Sequence, residues 1–224
     1  MRKTNVLAFF LLLGAQVALA QSENSLNIGA KGGANINQIS QSGAHMGGNV
    51  GGFVLFNFSD KLGLQGELLY NVLGATKDSF TRQTLNGGIQ YVDRSWTVHN
   101  AEIPVLIKFN LGAADDMIKP KLVAGASYAY TAAVIERRDQ IFSFPDGNVR
   151  RSGDYENIGA EFELHQFAAF FGVSVDYTMN SGKIFMTEVR YRRGLNNINN
   201  FGVFEQYGDA WPNTISINFG LTIL

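Results

Sequence analysis

Residues 215–223 read Ile-Ser-Ile-Asn-Phe-Gly-Leu-Thr-Ile. Bulky apolar side chains stand at Ile215, Ile217, Phe219, Leu221 and Ile223, with Ser216, Asn218, Gly220 and Thr222 between them. A pleated strand sends successive side chains to opposite faces, so this segment predicts a β-strand with one apolar and one polar environment. The same period of two recurs over 26–36, 50–58, 62–72, 102–109, 121–131, 167–177 and 185–192, giving eight strands. Phe53 and Leu55 blur the polar side of the second. Pro104 removes a ladder donor inside the fourth and predicts a bulge or local irregularity there.

The connections alternate in length. Residues 59–60, 112–117 and 179–182 form short turns, and 37–46, 73–93, 135–160 and 194–210 form long loops. Tight turns on one side and loops on the other are what an up-and-down barrel in a membrane requires. The expected fold is all-β, an eight-stranded antiparallel up-and-down transmembrane β-barrel with its long loops extracellular.

Side-chain size says which face is inside. The interior of an eight-stranded barrel is just wide enough for side chains to fill, and the polar face is rich in small residues: Gly29, Gly33, Gly51, Gly125, Gly172 and Ser174. A water-facing surface has room for larger residues, and glycine weakens a strand that has such room. The bulky face therefore belongs against lipid. A secreted lipocalin-like carrier, the soluble alternative, would turn Leu64, Val105, Val189 and Ile217 inward together.

Charges on the small-residue face become lumen groups. Lys31, Lys108, Lys121, Arg190 and Arg192 oppose Glu67, Glu102, Asp176 and Glu188, five cations to four anions. Buried charges are tolerated when paired and hydrogen-bonded, so these nine predict a structural plug. The other reading of such a lumen is a small porin-like channel. Tyr70, Tyr91, Trp96, Tyr128, Tyr130, Tyr177, Tyr191 and Trp211 fall near strand ends, where amphipathic rings favour the membrane-water interface.

At the amino end, Arg2 and Lys3 precede an apolar run from Val6 to Leu13, and Ala18-Leu19-Ala20 supplies a small-x-small site. That pattern predicts a signal peptide over 1–20 and a single exported barrel domain over 21–224. A formal charge of −1 argues against nucleic acid as a partner, and zero cysteines exclude a disulfide framework. Only His45, His99 and His165 offer a catalytic base. Ser95 and His99 share a face but stand about 13 Å apart along a strand, too far for direct contact. Asp115-Asp116 reads as a solvated turn, and no metal or phosphate motif appears. A non-enzymatic, monomeric protein without cofactor is expected, with a lipid-modifying enzyme as the rival class. The third long loop carries Arg137, Arg138, Phe142, Phe144, Arg150, Arg151 and Tyr155. A cationic, aromatic loop above the membrane suits lipopolysaccharide phosphates or an envelope protein; the plainer reading offsets its arginines with Asp139, Asp146, Asp154 and Glu156.

Four stretches carry a family resemblance: Ile28-Gly29-Ala30-Lys31-Gly32-Gly33-Ala34-Asn35, Phe58-Ser59-Asp60-Lys61-Leu62-Gly63-Leu64-Gln65-Gly66-Glu67-Leu68-Leu69-Tyr70, Glu102-Ile103-Pro104-Val105-Leu106-Ile107-Lys108-Phe109 and Glu188-Val189-Arg190-Tyr191-Arg192-Arg193-Gly194-Leu195. In these the chain resembles the PorT-like outer-membrane β-barrel family of the Bacteroidetes. Gly66 stands where that family usually has proline, and Leu224 where many outer-membrane barrels have an aromatic residue. The resemblance implies an outer-membrane barrel. It does not imply a single activity, since its name-giving member is similar to a protein-secretion component while most relatives have no defined role; the role expected of this chain is structural or accessory in the envelope, with outer-membrane lipid, and lipopolysaccharide or envelope and secretion proteins, as partners.

Overall fold

The computed structural model describes residues 25–39, 43–84, 87–113, 115–159, 163–198 and 211–223. The expected signal peptide lies outside them, as do residues 199–210 of the last long loop. Nine strands run through the described residues: β1 Ser25–Ile39, β2 His45–Asn57, β3 Leu62–Gln83, β4 Ile89–Asn110, β5 Ile118–Ser143, β6 Val149–Asn157, β7 His165–Thr178, β8 Ile184–Gly194 and β9 Pro212–Thr222. Neighbours pair antiparallel in the order β4-β3-β2-β1-β9-β8-β7-β5, and β4 closes on β5. Eight strands thus form a ring, while β6 pairs with the far end of β5.

Closure is staggered. Cross-strand partners traced once round the wall run from Leu26 to Phe56, Leu64, Ile107, Ala124, Phe171, Tyr191 and Ile215, and return to β1 at Ile36, ten residues beyond the start. With strands about 4.8 Å apart and a rise of about 3.3 Å per residue, this stagger tilts them roughly 40° from the axis. The apolar face looks outward: Leu64, Val105, Val189 and Ile217 are 38, 51, 42 and 47% exposed on the outer wall. The soluble-carrier alternative is thereby excluded. Phe53 and Leu55, ambiguous in sequence, turn inward and pack with Met186.

High curvature explains the inner glycines. A Cβ on Gly51 would stand 2.0 Å from the carbonyl oxygen of Leu68, and one on Gly125 would stand 2.1 Å from that of Val105. Neighbouring backbone occupies the space a side chain would need. Gly66, on the outer wall, has nothing within 4 Å of the same position. Gly51→Ala is therefore expected to cost about 1–3 kcal/mol through forced backbone shifts, while Gly66→Ala stays within about 0.5 kcal/mol of the parent. Denaturant unfolding in lipid checks the pair; equal effects would mean that wall curvature does not set the glycine requirement.

Two of the expected long loops are largely strand. Segment 73–93 continues β3 to Gln83 and begins β4 at Ile89, and 135–160 forms the end of β5 and all of β6. Each departure from the wall coincides with a β-bulge. The β4–β5 ladder passes from His99↔Ala133 to Asn100↔Thr131, leaving Ala132 as an extra residue, and the β3–β4 ladder shifts register between Ala75 and Asp78. A bulge bends a strand and increases its twist, so β3 to β6 leave the barrel as a four-stranded extension.

No bulge forms at Pro104. The β3–β4 ladder holds Gly66↔Val105 and resumes at Leu69↔Glu102 in the same register. The missing donor interrupts pairing without adding a residue. Trp96, expected at the interface, is instead 1% exposed on the inner side. Its even-numbered position on β4 shares the face of Glu102 and Lys108, and that parity overrides its place near a strand end. Tyr91 sits well past the bulge, on the outer face of the extension.

Candidate functional site

All nine lumen charges expected from sequence are buried. Alternation on β1, β3, β4, β5, β7 and β8 puts them inside, and the stagger brings distant positions to one level. The Lys31 ammonium donates to Glu67 Oε1 and to Glu188 Oε1, both at 2.9 Å. The Arg190 guanidinium bridges the same two carboxylates, donating from Nε to Glu188 and from Nη2 to Glu67. Lys108 Nζ lies 3.5 Å from Glu188 Oε2 and donates to the Met186 sulfur at 2.9 Å. Two separate pairs complete the set: Lys121 with Asp176 at 2.7 Å, and Arg192 with Glu102 at 3.0 Å.

Neutral polar residues on the same face add further hydrogen bonds. Glu102 accepts from Ser127 Oγ and Asn71 Nδ2, each at 2.5 Å. Asn49 donates to Asn35 at 2.9 Å and to Asn218 at 2.8 Å. Gln65 donates to Glu67. Reading by charge alone missed these amides and hydroxyls, although their alternation with lipid-facing residues marks them equally. Apolar layers interrupt the polar ones: Leu106, Val123, Ala168 and Phe170 form a cluster, with the Arg190 guanidinium 5.6 Å from the Phe170 ring centre. The void among Asn35, Glu102, Phe170, Arg190, Arg192 and Asn218 is about 20 Å³, room for about one water molecule.

The outer wall carries a motif that sequence spacing did not reveal. Tyr70 Oη lies 2.6 Å from His99 Nδ1, and Tyr128 Oη lies 2.7 Å from His165 Nδ1. Both pairs stand on adjacent strands near the long-loop rim of the apolar band, where Tyr130 and Tyr191 also face outward. Tyr177 holds the opposite rim, opposite Ile118 at the short-turn end. Among the described residues no hydrogen bond joins Ser95 to His99, whose Nδ1 faces the Tyr70 hydroxyl.

The seven residues expected on one binding loop lie on a hairpin and divide between its faces. Arg138, Phe142 and Arg150 share the inner face with Arg94 and Trp96. Arg137, Arg151 and Tyr155 occupy the outer face, where Arg137 lies 3.0 Å from Asp139 and 5.8 Å from the Tyr155 ring centre. Phe144 opens the tip, where Gly147 takes φ +86° and Asp146 accepts from Asn148 N at 3.0 Å and Nδ2 at 2.7 Å. Those hydrogen bonds hold the Asp146 carboxyl below its usual range.

A closed ring of tilted strands, a lipid-facing apolar wall and a charge-matched interior define an integral β-barrel of the outer membrane. The chain belongs to the family of outer membrane protein beta-barrel domains, whose model matches residues 15–200. No curated protein matches the sequence. Among solved structures it is similar to Ail, the attachment invasion locus protein of Yersinia pestis, at 9% identity and TM-score 0.41 over 91% of this chain and 100% of that one. It is similar also to Neisserial surface protein A, at 11% identity and TM-score 0.45 over 90% and 100%. A major outer membrane protein from Thermus thermophilus aligns at 9% identity and TM-score 0.45 over 89% and 100%.

Proposed function

We propose that this is a non-conducting, non-enzymatic, monomeric outer-membrane protein, exported by residues 1–20, whose closed barrel holds a rigid β-extension outside the cell for contact with an envelope or surface partner. The observation that carries the reading is the filled lumen continuing into a paired, protruding sheet. Nine buried charges form ion pairs across the barrel, and the void beside them is about 20 Å³. Such an interior suits a support better than a diffusion path. Short turns lie on the periplasmic side of outer-membrane barrels, which sets the extension outside. The PorT-like resemblance favours an accessory place beside envelope or secretion machinery. The non-enzymatic part draws support from His99 and His165, whose Nδ1 atoms face tyrosines rather than a nucleophile.

Reconstitution into planar bilayers tests the closed barrel, and no single-channel steps are expected. An Asn148→Cys variant tests presentation, since a membrane-impermeant maleimide added to intact cells should label it. Regular conductance steps would replace the first part with a small porin-like channel. Labelling only after lysis would overturn the second.

A further inference from the structure

We infer that the outer end of the extension's inner face binds an acidic oligosaccharide, a ligand class that rests on the surface-presentation reading above. Strand register places Arg82, Gln90, Phe142 and Arg150 in one row across β3, β4, β5 and β6. The row beneath is Phe80, Val92, Gln140 and Ser152. These two rows contain two guanidiniums, aromatic rings, amides and a hydroxyl, and no carboxylate.

The acidic residues set against the loop arginines face arginines other than Arg82 and Arg150 or, for Asp146, the backbone and amide of Asn148. Glu136 lies 3.3 Å from Arg94 and 2.8 Å from Arg138, and Glu156 lies 4.0 Å from Arg138. Asp154 stands opposite Arg138 two residues below Ser152, and Asp139 pairs with Arg137 on the other face. Among the described residues neither Arg82 nor Arg150 has a carboxylate partner; Arg82 donates to Gln90 at 2.5 Å. Among the described residues, the arginines of this face that lack a carboxylate partner therefore lie in the outermost row.

The space matches the chemistry. Thr84, Gln140, Phe142, Phe144, Arg150 and Ser152 line a cleft of about 400 Å³. Phe142 and Phe144 offer flat apolar surfaces to the C–H face of a sugar ring, while Gln140, Ser152 and Thr84 offer hydrogen bonds to hydroxyls. Arg150 can hold a carboxylate, sulfate or phosphate in a forked pair. Arg82 sits three strands away, about 14 Å by strand spacing, which favours a ligand with acid groups on more than one sugar.

The full-length protein in lipid nanodiscs is titrated with a size-defined oligogalacturonate and with its methyl-esterified, uncharged form. Binding of the acidic form is expected to be at least about tenfold tighter, and R82Q/R150Q should weaken it by about 10- to 100-fold. R137Q/R151Q on the opposite face should leave it within about twofold. Both pairs carry exposed side chains, and heat-modifiable migration on gels confirms that the barrels are folded. Competition by the cell's own lipopolysaccharide would assign the site to a saccharide of the same membrane, and lack of competition to a foreign one; either supports the site. Unchanged binding in R82Q/R150Q, or equal loss in R137Q/R151Q, overturns it. An extension labelled from outside that binds no acidic saccharide would overturn this inference alone.

Discussion

Glu188→Leu is expected to lower the unfolding free energy of the barrel by about 3–5 kcal/mol, the cost of leaving a buried ion pair broken. Glu188 faces three cations: Lys31 at 2.9 Å, Lys108 at 3.5 Å, and Arg190. Without it, Glu67 alone remains paired with Lys31 and Arg190, and Lys108 loses its ion-pair partner in a buried setting. Lys108→Met has the opposite logic. It removes the excess cation of this cluster, leaving Lys31 and Arg190 against Glu67 and Glu188, and places an unbranched apolar chain beside Met186. Replacing charge with well-packed hydrophobe is often neutral or stabilising. The double variant should recover part of the loss in Glu188→Leu. Guanidinium unfolding midpoints in phospholipid bilayers read all three. A small effect of Glu188→Leu, with a larger one for Lys108→Met, would show that the lumen is hydrated and that the pairs do not hold it closed.

Val105→Arg is expected to cost about 2–4 kcal/mol, the depth-dependent penalty for a charge facing the bilayer midplane. Val105 stands on the outer wall between Ile103 and Ile107, opposite Gly66 and Ala126. Its exposure would make arginine harmless in a water-soluble protein. In a membrane the guanidinium must snorkel to a headgroup or draw water into the hydrocarbon. Tyr91→Arg, on the same strand beyond the bulge, should change stability by less than about 0.5 kcal/mol because that face meets water. Folding yields into vesicles provide a second reading, and insertion of Val105→Arg should be slower. Indistinguishable stabilities for the two variants would contradict a lipid-facing wall.

The wall and its contents were legible because a strand's period of two is rigid. Once Ile217 and Phe219 are assigned to one face, Ser216 and Asn218 have no other place to go, and the same holds for Glu188 between Thr187 and Val189. The extension reads from sequence as two loops, and Trp96, on the unbroken even parity of β4, then falls at an apparent strand end. Pattern reading treats a broken alternation as the end of a strand, but Ala132 is a single extra residue after which β5 continues with reversed parity. Inward positions are odd up to Thr131 and even from Val134. Alternation along β5 and β6 then divides the seven loop residues between two faces.

By itself the sequence determined which side chains meet lipid and which enter the centre, since that choice follows from local pleat geometry and side-chain size. Which ions pair, and which arginines stay unmatched, belonged to the tertiary structure. Lys31 and Glu188 are separated by 157 positions yet touch through the ten-residue stagger of the closed ring. Arg82 and Arg150 join one row only through the successive β3–β4, β4–β5 and β5–β6 ladders. Register between strands is a collective property of closure, and no short stretch of chain encodes it.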